Sequence, residues 1–435
     1  MAEPRGVVIA APASGSGKTL VTLGLLRAFR RRGTPVSSAK AGPDYIDPRF
    51  HDAASGRPCF NLDCWAMGGG RVKSLARHAA RETELLLAEG VMGLFDGASG
   101  GGGSTADLAV LLGLPVILVV DAPRQGQSVA ALVKGFAEFR RDCRVAGVIL
   151  NRVASGTHAA LLKEALAPLG IPVLGTVSED HGLAVPSRHL GLVQAGEHSE
   201  LEDFLDRAAE LIAASIDLDA LAACASPLPD TAERPASLPP LGQRMAVARD
   251  EAFGFAYPHL LEDWRGAGAQ IMPFSPLANE APGADADAIY LPGGYPELHA
   301  GALAANDVFL DGLKAAAARG ALIYGECGGY MVLGEYIDDE KGARHAMASL
   351  LPVGTSFAKR RLSLGYRRLT QSNALPWPRA LRGHEFHYST LDWQGEADPL
   401  FDAANSRSEQ AGAMGQRRGN VMGSYAHVID LEGAP

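Results

Sequence analysis

Residues 6–29 read GVVIAAPASGSGKTLVTLGLLRAF: an all-apolar run, a Gly/Ser loop, Lys18-Thr19, and a stretch with helical apolar spacing. Strand, glycine loop, lysine and helix in that order are what a phosphate cradle requires. Glycines let backbone N–H groups converge on phosphate oxygens, and the helix N-terminus adds its positive dipole end. Lys18 supplies a point charge and Thr19 can ligate Mg²⁺. Gly15, Ser16, Gly17, Lys18 and Thr19 are therefore the candidate nucleotide-binding residues. Pro12 stands where the motif GxxxxGK[ST] has its first glycine, so the match is incomplete, yet the flanking strand and helix disfavour a mere glycine-rich turn.

Outward from this stretch the same alternation repeats. PVILVV and AGVILN are short apolar runs followed by longer helical ones, as expected for strands buried on both faces of a parallel sheet. Residues 1–215 are thus expected to form an α/β, doubly wound domain ending in a helix over 197–215. From 216 to 242 periodicity is lost and five prolines appear, which marks a linker. Alternation then resumes with RMAVARD, AQIMPF, DAIYLPGG and ALIYGECGG, so a second α/β domain is expected over 243–435.

At 435 residues, with 47% hydrophobic and 20% charged side chains, the chain can bury two ordinary cores. A net charge of −9 argues against a nucleic-acid groove, which needs surplus Lys and Arg. The basic run Arg27, Arg30, Arg31, Arg32 precedes Gly33 and reads as cations complementing a helix C-terminus. Five scattered cysteines without CxxC spacing indicate neither a disulfide framework nor a zinc site. With no apolar stretch of membrane-spanning length, a cytoplasmic protein with no membrane partner is expected, and a homodimer is compatible with the chain.

Three groups of side chains carry candidate chemistry in the N-terminal part. KAGPDYIDP offers Lys40, Asp44 and Asp47, and LLLAEGVMGLFDG ends a strand at Glu89 and adds Asp96. Carboxylates at the C-terminal ends of parallel strands face the ligand crevice, and Thr19, Asp44 and Glu89 can supply the oxygen shell Mg²⁺ prefers. Asn151, after the strand AGVIL, either reads an adenine edge or caps the turn that follows.

In the C-terminal part, Gly325-Glu326-Cys327-Gly328-Gly329 lies between an apolar strand and a helix. Tiny neighbours on a strained turn let a nucleophile stand exposed, and the helix N-terminus is expected to lower the thiol pKa. His427 in GSYAHVID is the candidate base. Backbone N–H groups of Gly328 and of Gly293 or Gly294 in LPGGYPE are candidate oxyanion donors. RGHEFHYS lacks the i, i+4 histidine spacing of a zinc-binding helix and reads as a structural strand end.

Taken together, APASGSGKT, KAGPDYIDP, AEGVMGLFDG, RHLGL, MAVARDEAFGF, FSPL, LPGGYPE, GECGGYM, GHEFHYS and GSYAH resemble the cobyrinic/hydrogenobyrinic acid a,c-diamide synthases, in order from residue 7 to residue 428. The resemblance implies a dethiobiotin-synthetase-like ATP-binding domain joined to a class I glutaminase-like domain. It implies ATP, Mg²⁺, L-glutamine and a corrinoid polycarboxylate as reaction partners, with amidation of the a and c carboxylates. It places Asp44, Tyr45, Glu89 and Asp96 in the synthetase site, and makes Cys327 the glutaminase nucleophile with His427 its partner. Ile429 stands where class I glutaminases carry an acid, which leaves Glu385 or a backbone carbonyl to orient His427. The loop entrance AAPASGSGKT resembles the hydrogenobyrinic members. By this resemblance ATP forms an acyl phosphate on the substrate, Cys327 forms a glutamyl thioester, and the ammonia released travels a shielded path.

Cobyric acid synthase is a competing reading, disfavoured because AKAGPDYIDP stands in place of its FKxQNMxxN-type segment. A Ni-sirohydrochlorin a,c-diamide synthase is a second. A deviant P-loop switch ATPase leaves the Gly-Glu-Cys-Gly-Gly elbow unexplained, and a corrinoid-binding protein without catalysis leaves the phosphate loop unexplained.

Overall fold

Val7, Val8 and Ile9 have no exposed surface, and neither do Leu86, Leu87, Ala88 and Val116 to Val120. Strands this apolar on both faces need cover on both sides, and in the computed structural model they form a parallel sheet. The model describes residues 3–180, 183, 187–188, 191–192, 195–197, 200–231 and 235–433. They fall into two units, Met1–Pro235 and Ala236–Pro435.

In the first unit β1 (Arg5–Ala10), β2 (Val36–Ala41), β3 (Phe60–Leu62), β4 (Leu85–Glu89), β5 (Val116–Asp121), β6 (Val145–Val153) and β7 (Val173–Ser178) run parallel. Their order is β3-β2-β4-β1-β5-β6-β7. β1 therefore lies between β4 and β5, and the chain reverses its direction of sheet growth there, which is where such sheets bind ligands. The two-residue strands β8 (Ser187–Arg188) and β9 (Gly191–Leu192) pair with each other. His189 and Leu190 of the RHLGL segment lie outside the described residues.

The helix Lys18–Arg31 packs on the helix Leu201–Ser215, and Gly24 makes the approach possible. A Cβ on Gly24 would lie 2.8 Å from the Ala208 carbonyl oxygen and 2.4 Å from Ile212. The basic run does more than complement a helix end. Arg27 pairs with Glu202 (2.6 Å) and Asp206 (2.7 Å), Arg31 with Glu210, and Arg32 with Asp219. Within the proline-rich stretch expected to link the domains, Leu218–Cys224 is helical and β10 (Ser226–Pro227) pairs antiparallel with β1.

The second unit begins with parallel strands β11 (Arg244–Ala248), β12 (Gln270–Phe274), β13 (Ala288–Leu291) and β14 (Leu322–Glu326). The sheet continues beyond this doubly wound part as an antiparallel extension: β18 (Ser363–Gln371), β19 (Ala380–His387), β21 (Asp398–Asn405), β22 (Gln410–Arg418), β23 (Val421–Ser424) and β24 (Ala426–Leu431). The order is β12-β11-β13-β14-β23-β22-β21-β18-β19-β24, with β23 parallel to β14 and antiparallel to β22. A smaller sheet holds β15 (Tyr336–Asp338), β16 (Arg344–Ala346), β17 (Val353–Ser356) and β20 (Thr390–Gln394). Among the described residues no helix is long and apolar enough to cross a membrane.

Candidate active site

In the N-terminal unit the loop after β1 turns through Gly15 (φ 79°) and Gly17 (φ 87°), both left-handed. Gly17 admits no side chain, because a Cβ there would meet the Asn151 amide nitrogen at 2.2 Å. That amide donates to the Ser16 carbonyl (3.0 Å), while Arg152 donates to the Gly15 carbonyl (3.0 Å) and pairs with Asp121 at the end of β5. Asn151, expected to read adenine or cap a turn, thus braces the loop from β6. Both contacts engage carbonyls of the loop and not its N–H groups.

Behind the loop lies a buried cluster of polar side chains. Thr19 Oγ1 donates to Glu89 Oε1 (2.8 Å) and stands 3.4 Å from Asp47 Oδ2. Lys40 Nζ lies 2.6 Å from Asp47 Oδ2 and 2.8 Å from Glu89 Oε1. The other Glu89 oxygen meets His51 Nε2 at 2.8 Å, and His51 Nδ1 lies 3.5 Å from Cys59 Sγ. Burial alone would raise the Glu89 pKa, but Lys40 and His51 hold it well below the usual carboxylate range. Burial likewise opposes a charge on Lys40, yet Asp47 and Glu89 raise its pKa and keep it an ammonium. Burial lowers the Lys18 pKa, partly countered by Glu89.

Asp44, expected as a metal ligand, uses Oδ1 to accept the Ile46 and Asp47 amides at 2.8 and 3.0 Å in the turn that precedes the helix Asp47–Ser55. The carboxylate that reaches Thr19 is instead Asp47, whose Oδ1 is buried without a hydrogen-bond partner. Asp47 and His51, four residues apart on that helix, share one face. That spacing was the available signal for both. The open Asp47 oxygen, Glu89 and the Thr19 hydroxyl form a hard oxygen set that fits Mg²⁺. Among the described residues no group of three or more His, Cys, Asp or Glu side chains is placed to hold a metal ion; the set here is two carboxylates and a hydroxyl, the two acids being bridged by Lys40.

Asp96 accepts the Gly93 amide (2.8 Å) in a loop whose Leu94 amide donates to the Ala11 carbonyl, so it stands beside the phosphate loop. Tyr45, expected against substrate, is only 7% exposed and offers little face to one.

In the C-terminal unit β14 ends at Glu326, and Cys327 follows with φ 47° and ψ −104°, a strained backbone for a residue with a side chain. Its frame needs glycine. A Cβ on Gly325 would lie 2.7 Å from the Gly329 backbone, and one on Gly329 would lie 2.0 Å from the Leu291 carbonyl. The helix Gly328–Leu333 starts at once. A Cβ on Gly328 would be 3.1 Å from the Gly294 nitrogen, so the two expected oxyanion donors lie side by side. Gly293 lies against both nucleophile and base: a Cβ there would lie 2.2 Å from His427 Cε1 and 3.2 Å from Cys327 Cβ.

The expectation of a lowered thiol pKa fails. Burial pushes the Cys327 thiol well above its ordinary value, the Glu297 carboxylate adds to this, and the Gly328 N–H offsets only part. A six-residue helix has a weak terminus, and desolvation of a nearly sealed thiol outweighs it. Burial, reinforced by His384 and His387, depresses His427 far below 6.5. Cys327 and His427 therefore rest as neutral thiol and neutral imidazole.

His384 on β19 stands opposite His427 on β24. Burial and Arg367 lower its pKa to about 4, so it too is neutral. Glu385, one of two groups expected to orient His427, is held elsewhere: Arg367 Nη2 lies 2.6 Å from Oε2, and His387 Nε2 2.8 Å from Oε1.

Two family models match the chain. One is a CobQ/CobB/MinD/ParA nucleotide binding domain over residues 7–193, the other a CobB/CobQ-like glutamine amidotransferase domain over 244–434. One polypeptide carrying both is a glutamine amidotransferase-type amide ligase. Across 432 residues, 99% of each chain, it is 57% identical to the hydrogenobyrinate a,c-diamide synthase of Brucella suis. It is 55% identical over 426 residues to that of Rhizobium meliloti, covering 98% of this chain and 99% of the relative. The Mesorhizobium japonicum enzyme of the same name is 51% identical over 432 residues, 98% of each. The chain belongs to the hydrogenobyrinate a,c-diamide synthase family.

Proposed function

We propose that this enzyme amidates the a and c carboxylates of hydrogenobyrinate, using ATP to activate each carboxylate and glutamine as the nitrogen source. The observation that carries the glutamine half is Cys327, strained at φ 47° and brought close enough to His427 that a single Cβ on Gly293 would touch both. A neutral thiol is a poor nucleophile, so attack on the glutamine amide carbon is coupled to transfer of its proton to His427. Burial keeps that imidazole unprotonated but also makes it a weaker base, so the proton moves as the carbon–sulfur bond forms rather than before it. The Gly328 and Gly294 N–H groups face the oxygen on which charge develops. His427 returns the proton to the departing ammonia, leaving a glutamyl thioester that water hydrolyses.

In the N-terminal unit, backbone N–H groups of residues 15–19 and Lys18 hold the ATP phosphates. Asp47, Glu89 and the Thr19 hydroxyl would hold Mg²⁺, which would supply charge neutralisation to the phosphates. Lys40 helps hold Glu89 well below the usual carboxylate range and partly offsets the burial and the Asp44 charge that push the Asp47 pKa up to about 6. A substrate carboxylate attacks the γ-phosphate, ADP leaves, and ammonia displaces phosphate from the acyl phosphate. We place Asp96, beside the loop, at the substrate carboxylate.

The test is turnover of Cys327→Ala with hydrogenobyrinate and ATP, with products weighed by mass spectrometry. Glutamine-dependent amidation should vanish while ammonium-dependent amidation persists, and equal loss of both would refute the assignment. Cobyrinate offered in parallel separates the metal-free from the cobalt-containing substrate.

A further inference from the structure

Glu326, the residue before the nucleophile, is fully buried, and stability alone gives no reason for a carboxyl there. Burying one costs several kcal/mol unless its lone pairs are met, and a well-packed apolar residue is often as stable. All the donors that meet it come from other positions of the glutaminase core. Tyr324, two residues back on β14 and so on the same face, donates to Oε1 at 3.0 Å. Tyr290, beside Tyr324 in the register of β13 with β14, donates to Oε2 at 2.7 Å. The third donor is the backbone N–H of Val428, 3.0 Å from Oε1.

That last contact joins elements the ladder leaves apart. β14 pairs with β13 and β23, whereas β24 pairs with β19 and lies at the far end of the strand order. The side chain of the residue preceding Cys327 thus holds the amide of the residue following His427.

We propose that Glu326 is a positioning residue for glutamine hydrolysis, tying the strand of the base to the strand of the nucleophile. The inference rests on the Cys327–His427 reading. Each reacting residue is the chain neighbour of a tied residue, with consecutive Cα atoms about 3.8 Å apart, so slack in the tie passes to the distance between thiol and imidazole. The tie has a rigid anchor, since the partners Tyr290 and Tyr324 are stacked with ring planes 10° apart.

The experiment compares Glu326→Leu, Glu326→Gln and Tyr290→Phe in the full-length enzyme, measuring glutamate release and ammonium-driven amidation on the same preparations. Leucine keeps the bulk and removes the tie, so kcat for glutamine should fall about 100-fold with KM changed less than about threefold, while ammonium-driven turnover is kept. Glutamine at 326 preserves an acceptor for Val428 and should recover kcat to within about tenfold of wild type. Tyr290→Phe removes one donor without opening the fold and should lower the same kcat about three- to tenfold, which serves if the leucine variant does not fold. Unchanged glutamine turnover in Tyr290→Phe or Glu326→Leu, or a glutamine variant as impaired as the leucine one, would overturn the proposal. Retained glutamine turnover in Cys327→Ala would instead overturn the reading beneath it.

Discussion

A single methyl group at Gly293 should disable glutamine hydrolysis while leaving the synthetase untouched. A Cβ at this position would lie 2.2 Å from His427 Cε1, 3.0 Å from Nε2 and 3.2 Å from Cys327 Cβ. Carbon atoms at rest stand about 3.5–4.0 Å apart, so the imidazole would have to retreat by roughly 1.3 Å. No left-handed backbone is required at Gly293, so the alanine carries no conformational strain and acts through the clash alone. The ring cannot swing into solvent, because His427 is fully buried and β24 is held in register against His384 on β19. Overpacking of this kind costs about 1–3 kcal/mol, and a misplacement near 1 Å can cost about 100-fold in rate. Glutamate release by Gly293→Ala should therefore fall about 100-fold or more, with ammonium-driven amidation near wild type and a modestly lower melting temperature. Gly266→Ala, where an added Cβ meets nothing within 4 Å, is the neutral control. A glutamine kcat for Gly293→Ala within about threefold of wild type would refute the reasoning.

Lys40→Met should abolish amidation with either nitrogen source and destabilise the N-terminal unit by about 3–5 kcal/mol in urea, because it leaves the Asp47 and Glu89 carboxylates buried without a counter-charge. Retained ammonium-driven turnover would contradict that role. Asn151→Ala removes the brace on the Ser16 carbonyl and should raise the ATP KM about tenfold without changing glutamate release, so an unchanged KM would show that the loop holds its shape alone. Burial pushes the Glu326 carboxyl up to about 7, partly offset by Tyr290, Val428 and Tyr324. Folding thus favours its protonated form. That contribution is fully present below the unfolded value near 4.5 and is lost as pH rises through about 7, roughly 3 kcal/mol in all. Relative to Glu326→Gln, the wild type should lose stability across this window. Parallel stability–pH curves for the two proteins would show that the carboxyl does not titrate there.

Much of this protein is legible along the chain because the determining interactions are local. Apolar runs such as GVVIAA need cover on both faces, and glycines at 15 and 17 permit the left-handed turn that presents N–H groups to phosphate. The glycine frame around Cys327 announces an elbow by its spacing, although only the clash of a Cβ at 325 with Gly329 is local, a Cβ at 329 striking the Leu291 carbonyl on β13. The tertiary structure alone decided which side chains face the chemistry and in what state of charge. Asp47 rather than Asp44 reaches Thr19 because Asp44 Oδ1 is taken by the Ile46 and Asp47 amides in the turn before the helix. Asn151 serves the loop across 135 residues of sequence, a contact that no local pattern encodes. The thiol pKa went against the sequence-based expectation because a helix terminus acts over one turn, whereas desolvation is set by everything packed around the sulfur. The pairing of Cys327 with His427 likewise depends on a sheet whose last strand comes back beside its middle, where Glu326 meets the amide of Val428.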